Sequence, residues 1–146
     1  AAQALSFQAL SRNTHLLHSV HIRPASGPGT KEVLYEVAAM VIMGVTSGVD
    51  YIKSVQSATG RNMGHTSPLE ARLCAQVAHA VEGLTRTEGN QLVSNLAARY
   101  QDGIPSADIG KHFRETYNLD TLEPTPEWAA TYQDVIKDLR ELGLAL

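Results

Sequence analysis

Apolar and polar positions alternate through Ser19-Val20-His21-Ile22-Arg23: Val20 and Ile22 fall on one side, Ser19, His21 and Arg23 on the other. A period of two belongs to an extended strand, and Pro24 ends it. The stretch from Leu16 to Arg23 is therefore predicted as a strand. Ahead of it, Ala2, Leu5 and Ala9 share one helical face within residues 1–12, with Gln3, Gln8 and Arg12 elsewhere, which predicts a helix. Behind it, Ala25-Ser26-Gly27-Pro28-Gly29 reads as a loop and Thr30 as the N-cap of the next helix. From Lys31 to about Ser47, Val33, Leu34, Val37, Met40, Val41, Gly44 and Val45 make that helix apolar around most of its circumference, so it should be covered on both sides. Gly48 suits the left-handed position after a helix end. Asp50 to Val55 reads as a second short strand. Strand, crossover helix and strand make a βαβ unit with parallel strands.

The pattern changes after Val55. Gln56 to Thr66 is polar and glycine-containing, a loop. Ser67-Pro68-Leu69-Glu70 combines an N-cap serine, a proline in the first turn and a glutamate three residues on, the spacing of a capping box. Leu69, Leu73, Val77, Ala80, Val81 and Leu84 form the stripe of the helix that follows. Thr85-Arg86-Thr87-Glu88 repeats the capping-box spacing, with Leu92, Val93, Leu96 and Tyr100 continuing that helix. Ile104-Pro105 breaks the pattern, a short helix is expected over His112 to Tyr117, and Pro124-Thr125-Pro126 opens the last one. Its apolar face is Trp128, Tyr132, Val135, Ile136, Leu139 and Leu142.

Two strands and five or six helices have a consequence. Parallel strands are normally buried on both faces and flanked by further strands, and two alone do not make a stable sheet. The expected fold class is therefore α/β and helix-rich: residues 1–60 a strand–helix–strand slice of a larger parallel sheet or barrel, residues 61–146 a helical region packed on it.

Composition adds boundaries more than direction. At 146 residues, 43% of them apolar and 18% charged, the chain is ordinary globular material. A net charge of −3 without like-charge runs gives no reason to expect nucleic acid or an anionic membrane as partner. Cys74 is the only cysteine, which excludes an internal disulfide or a cysteine-based metal site and fits a reducing compartment. The longest apolar run, Val37 to Val45, is less than half the roughly 20 residues of a membrane-spanning helix. The start Ala-Ala-Gln has no initiator methionine and no signal-peptide pattern, and is read as a sign of trimming or of a fragment.

Among candidate chemistry, His15, His18 and His21 recur every three residues. On a strand that spacing sends neighbouring side chains to opposite faces, and no carboxylate lies close by in sequence to complete a ligand set, so no metal site is expected. His21 and Arg23 are the stronger candidates. They sit at the C-terminal end of a predicted strand, where barrels and open parallel sheets gather ligand and catalytic groups. His21 can serve as acid or base and Arg23 as a carboxylate or anion holder; the plainer reading has both facing water in a loop. Gly27, Gly29 and Thr30 lie between strand and helix and could offer backbone amides to an anion, but Ser26-Gly27-Pro28-Gly29-Thr30-Lys31 fails the P-loop spacing, and a tight turn fits better. His65 lies in the glycine loop, possible at a site rim; His79 and His112 receive no role. Cys74 reads as a small packed side chain.

Several stretches taken together resemble the carboxyl-terminal part of the monomethylamine:corrinoid methyltransferase family. They are Ala25-Ser26-Gly27-Pro28-Gly29-Thr30-Lys31-Glu32, the apolar helix ending at Ser47-Gly48, Pro68-Leu69-Glu70-Ala71-Arg72 with Val77-Ala78, and Gly110-Lys111-His112-Phe113. Pro124-Thr125-Pro126-Glu127, Tyr132 and Asp138-Leu139-Arg140-Glu141-Leu142-Gly143-Leu144 complete the set, collinear from about Val20 onward. The resemblance implies the C-terminal slice of a (β/α)8 TIM barrel, its last two strands followed by a helical tail, about the last third of a family member. It implies transfer of a methyl group from a methylamine to the cobalt of a corrinoid (cobamide) carried on a separate protein, with a pyrrolysine supplied from upstream of residue 1. The partners it implies are the upstream part of the same barrel, the corrinoid protein and a small amine substrate, in a cytoplasmic homo-oligomer, with no cofactor bound by this chain. Aligned on the family, His21 stands where it has a glutamine, Arg23 where it has a tyrosine, and Gly29 where it usually has a cysteine. A fixed positive charge at Arg23 suits an anionic or zwitterionic substrate better than a protonated amine. Two other readings stand beside this one: a non-catalytic helical module that binds a partner through its amphipathic faces, and a small anion-binding α/β domain using Gly27 to Thr30.

Overall fold

The computed structural model describes residues 2–146; residue 1, the first of the predicted N-terminal helix, lies outside the described residues. The elements run in the order α1 (Ala2–Asn13), β1 (Ser19–Ile22), α2 (Lys31–Thr46), β2 (Tyr51–Val55), α3 (Pro68–Ala80), α4 (Arg86–Ala97), α5 (Phe113–Thr116) and α6 (Pro126–Glu141), with short 3-10 turns at Ala58–Gly60 and Gln101–Ser106. Strands β1 and β2 pair in parallel and form the two-stranded sheet among the described residues. Each strand therefore keeps one edge without a strand partner. This is the helix-rich α/β architecture expected of a slice of a larger parallel sheet.

Helix α2 organises the rest. Thr30 caps it, its hydroxyl accepting from the Val33 amide at 3.3 Å, and Gly48 follows its end at φ +86°. Nearly every side chain from Val33 to Ile42 is buried, because α2 packs against α3, α4 and α6 as well as β1. Contact with the sheet is close: a Cβ on Gly44 would stand 3.1 Å from Val20 Cγ1. Val20 and Ile22, at 1% and 0% exposure, give β1 its helix-facing side. One continuous core runs from Phe7 through α2 and α3 to Trp128 and Leu144, so the helical region of residues 61–146 shares its core with residues 1–60.

Cap chemistry fixes the helix starts. Both predicted capping boxes form, at Ser67/Glu70 and Thr85/Glu88, and a third forms at His112/Glu115. Trp128, 2% exposed, donates its indole N–H to Ser67 Oγ at 2.9 Å and so ties the start of α3 to α6. Tyr35 on α2 bonds Asp138 on α6, and Arg99 completes the group at 3.2 Å from Asp138.

The elements are shorter than the alternation predicts. Residues 16–18 pair with no strand, and Leu16 and Leu17 are 70% and 80% exposed, so the strand begins at Ser19 and Arg23 lies just beyond it. The stripe drawn to Leu84 ends as helix at Ala80, because a turn with Gly83 at φ +82° intervenes; Tyr100 likewise lies past the end of α4. Among the described residues no helix is long and apolar enough to cross a membrane.

Candidate functional site

The two strands end side by side, and the side chains beyond Val20 pair across them. His21 Nδ1 lies 3.0 Å from Ser54 Oγ. Two residues further on, Arg23 Nε donates to Gln56 Oε1 at 3.1 Å. These two rungs occupy the side of the sheet opposite Val20 and Ile22, at its C-terminal end, the position from which ligand-binding groups project in parallel α/β sheets. The structure thus brings His21 and Arg23 to one face and gives each a partner.

A register shift makes the first rung possible. Val20 stands opposite Ile52, but His21 stands opposite Ser54, so β2 carries one extra residue, Lys53. A strand's side chains change face with every residue, and a bulge resets that parity. Without it Lys53 would face His21 and set an ammonium beside the imidazole. With it, Lys53 is exposed and a neutral hydroxyl takes that place. The three histidines diverge. His15 is exposed. His18 lies at the other end of the sheet, its ring Nδ1 3.1 Å from Asp50, whose carboxylate also accepts the His18 amide at 2.8 Å. Among the described residues no group of three or more potential ligands gathers as a metal site.

Both loops that leave the strands hang on a buried glutamate from the helix that follows. Glu36 of α2, 2% exposed, accepts the amides of Ala25 and, at 3.1 Å, Ser26. Glu70 of α3, 0% exposed, accepts the Ser57 hydroxyl and the Ser67 amide at 3.1 Å each, besides the Ser67 hydroxyl. Burial holds the Glu70 carboxyl above its ordinary 4.5, against these hydrogen bonds, which pull it down.

The C-terminal tail closes over these loops. Gly27 N–H donates to Asp108 O at 2.9 Å, Lys111 N–H to Pro28 O at 2.8 Å and Phe113 N–H to Gly64 O at 2.7 Å, while His65 Nδ1 lies 2.8 Å from Ile109 O. Gly29 takes φ +91°, and the Thr30 hydroxyl donates to Gly27 O at 2.8 Å. Gly27, Gly29 and Thr30 therefore form a packed turn, with the Gly27 amide already engaged by a carbonyl. His65 and His112, whose rings lie 6.0 Å apart, belong to this contact between loop and tail.

Beside the unpaired edge of β2, an open apolar groove of about 670 Å³ runs between that strand and α3, lined by Ile52, Val55, Ala71, Cys74 and Ala78 among others. Burial pushes the Cys74 thiol up to about 11, so it is no ready nucleophile.

Neither Ser54 nor Gln56 stands out in the sequence. Their signal is spacing: each lies 33 residues after its partner, a constant offset that only the bulged parallel pairing explains.

Comparison with known proteins finds matches along most of the chain. The profile of the family monomethylamine methyltransferase MtmB matches residues 1–144. MtmB2 of Methanosarcina acetivorans is 37% identical over 135 residues, and MtmB of Methanosarcina mazei 33% identical over 135. Those alignments take in 92% of this chain and 30% of each relative, so the chain spans about a third of the length of the proteins it resembles. The crystal structure of the Methanosarcina barkeri monomethylamine methyltransferase superposes with a TM-score of 0.91 at 33% identity, covering 97% of this chain and 31% of that one; the hydroxylamine complex of MtmB gives the same values.

Proposed function

The chain belongs to the monomethylamine methyltransferase MtmB family, and from that membership we propose that it supplies the last two strands and the helical tail of a (β/α)8-barrel methyltransferase. In the whole protein a methyl group leaves a methylamine-type nitrogen: the C–N bond breaks, the demethylated amine is released, and the methyl carbon passes to the cobalt of a corrinoid carried by a separate protein. An amine is a poor leaving group, so the site has to hold it in an ammonium-like form as that bond weakens.

The observation that carries this reading is the chain-long match, in sequence and in three dimensions, to monomethylamine methyltransferases. The strand edges, open among the described residues, and the apolar groove between β2 and α3 agree with it, because the rest of the same protein would cover both. They weigh against a stand-alone helical module. In this reading His21 and Arg23 are the chain's contribution to the barrel mouth. With Nδ1 held by Ser54, the His21 imidazole has Nε2 left to give or take a proton at the substrate amine. Arg23, braced by Gln56, holds the substrate in place.

The test is methyl transfer by the full-length protein in the presence of its corrinoid protein. His21→Ala is expected to lower the rate by about 10²-fold or more, the usual worth of a positioned acid or base. Rates unchanged in both His21→Ala and Arg23→Ala would remove these residues from the site.

A further inference from the structure

Arg23 ends the strand face of the candidate site, and its charge restricts what that site can hold. The side chain is exposed, its Nε is committed to Gln56 Oε1 at 3.1 Å, and among the described residues no carboxylate lies within ion-pair distance of it. The brace fixes the plane of the guanidinium while the two Nη groups remain available. That leaves the end-on edge of the fork, which matches the two oxygens of a carboxylate. Next to it, the bulge at Lys53 has set a neutral Ser54 rather than a second cation against His21. The face thus presents the fixed cation of Arg23 with no carboxylate beside it, a charge pattern opposed to a small ammonium ion and complementary to a molecule with an anionic end.

Resting on the methyltransferase reading above, we propose that the substrate is an N-methylated amine that carries a carboxylate, a zwitterion whose carboxylate is taken by the Nη edge of Arg23, rather than methylammonium itself. Arg23 is then the specificity-determining residue. Gln56 is a positioning residue that acts through it.

The experiment compares methylammonium with N-methylglycine, as ligands in calorimetry and as methyl donors in transfer to the corrinoid protein, using the full-length protein. The expected result is a preference for N-methylglycine of about ten-fold or more in Kd, abolished in Arg23→Gln and partly kept in Arg23→Lys, which retains the charge and loses the fork. Gln56→Ala is expected to weaken N-methylglycine binding less than Arg23→Gln does, because it removes the brace and keeps the guanidinium. Methyl transfer from methylammonium with no advantage for N-methylglycine, and no response to Arg23→Gln, would overturn the substrate class while leaving the methyltransferase reading intact. Binding of N-methylglycine through Arg23 without methyl transfer would support the carboxylate site and sink the reaction. Failure to bind either compound would overturn both.

Discussion

Replacing Gly27 by alanine tests whether the tail really holds the first loop. A Cβ built there would lie 1.7 Å from the carbonyl oxygen of Ile109, 2.4 Å from its carbon and 3.1 Å from the Gly110 nitrogen. All three atoms are backbone, so no side chain can swing aside. Relief requires the tail to withdraw, which breaks the bonds from Gly27 N–H to Asp108 O and from Lys111 N–H to Pro28 O. Two such bonds at about 0.5–1.5 kcal/mol each, with about 1–3 kcal/mol for a methyl forced into filled space, give roughly 2–6 kcal/mol. Because the contact joins a loop to a tail, the cost is expected as local opening rather than loss of the sheet. Hydrogen exchange reads this directly: the Gly27→Ala protein should lose protection at residue 27 and Lys111 while Val20 and Ile52 keep theirs. Gly103→Ala is the control, since nothing lies within 4 Å of the Cβ it would gain, and it should be nearly silent. Unchanged protection at residue 27 and Lys111 in the Gly27→Ala protein would refute the clamp.

Three further outcomes follow from the buried groups. Glu36→Ala strands the amides of Ala25 and Ser26 and should cost about 2–6 kcal/mol in denaturant unfolding, with Glu36→Gln milder because one carbonyl oxygen remains as acceptor. Glu70 has a folded-state pKa raised above its ordinary 4.5, so the stability tied to its protonated form is fully present below that value and is lost as pH rises through the raised one. Unfolding followed from about pH 4 to about pH 8 should show that loss in the parent protein and its absence in Glu70→Gln. The Cys74 thiol, pushed up to about 11, should be alkylated about two orders of magnitude more slowly near pH 8 than a free cysteine; peptide-level mass spectrometry of the labelled protein would register a faster reaction as a contradiction.

What the sequence discloses and what it hides divide along physical lines. Local chemistry was readable: Thr30, Ser67/Glu70 and Thr85/Glu88 announce helix starts because caps are made within four residues, and each forms. The βαβ unit was readable because Val20 and Ile22 alternate and α2 is apolar all round. Pairings made at long range were not. Strict alternation counted from Val20 and Ile52 sets Lys53 against His21, and only the inserted residue brings Ser54 there. Glu36 had a signal, a carboxylate flanked by Tyr35 and Val37 in the apolar stretch of α2, yet its partners Ala25 and Ser26 are identified only by the folded loop. The clamp by residues 108–113 has no local signature, since it joins backbone to backbone across most of the chain. Exposed Leu16 and Leu17 show the opposite error, in which apolar residues extended a strand on paper that the backbone does not pair.

The glutamate tethers bear on how the C-terminal end of this sheet can change over time. Glu36 and Glu70 each arise from the helix following the strand whose loop they grip, so each loop has one anchor inside its own unit besides those it shares with the tail and with the other loop. Those inner anchors hold the backbone of each loop, at Ala25 and Ser26 and at Ser57, while side chains at the strand ends change. Residues such as His21 and Arg23 are free to drift in identity while the backbone beneath them keeps its place, which is a physical route by which one scaffold acquires new selectivities.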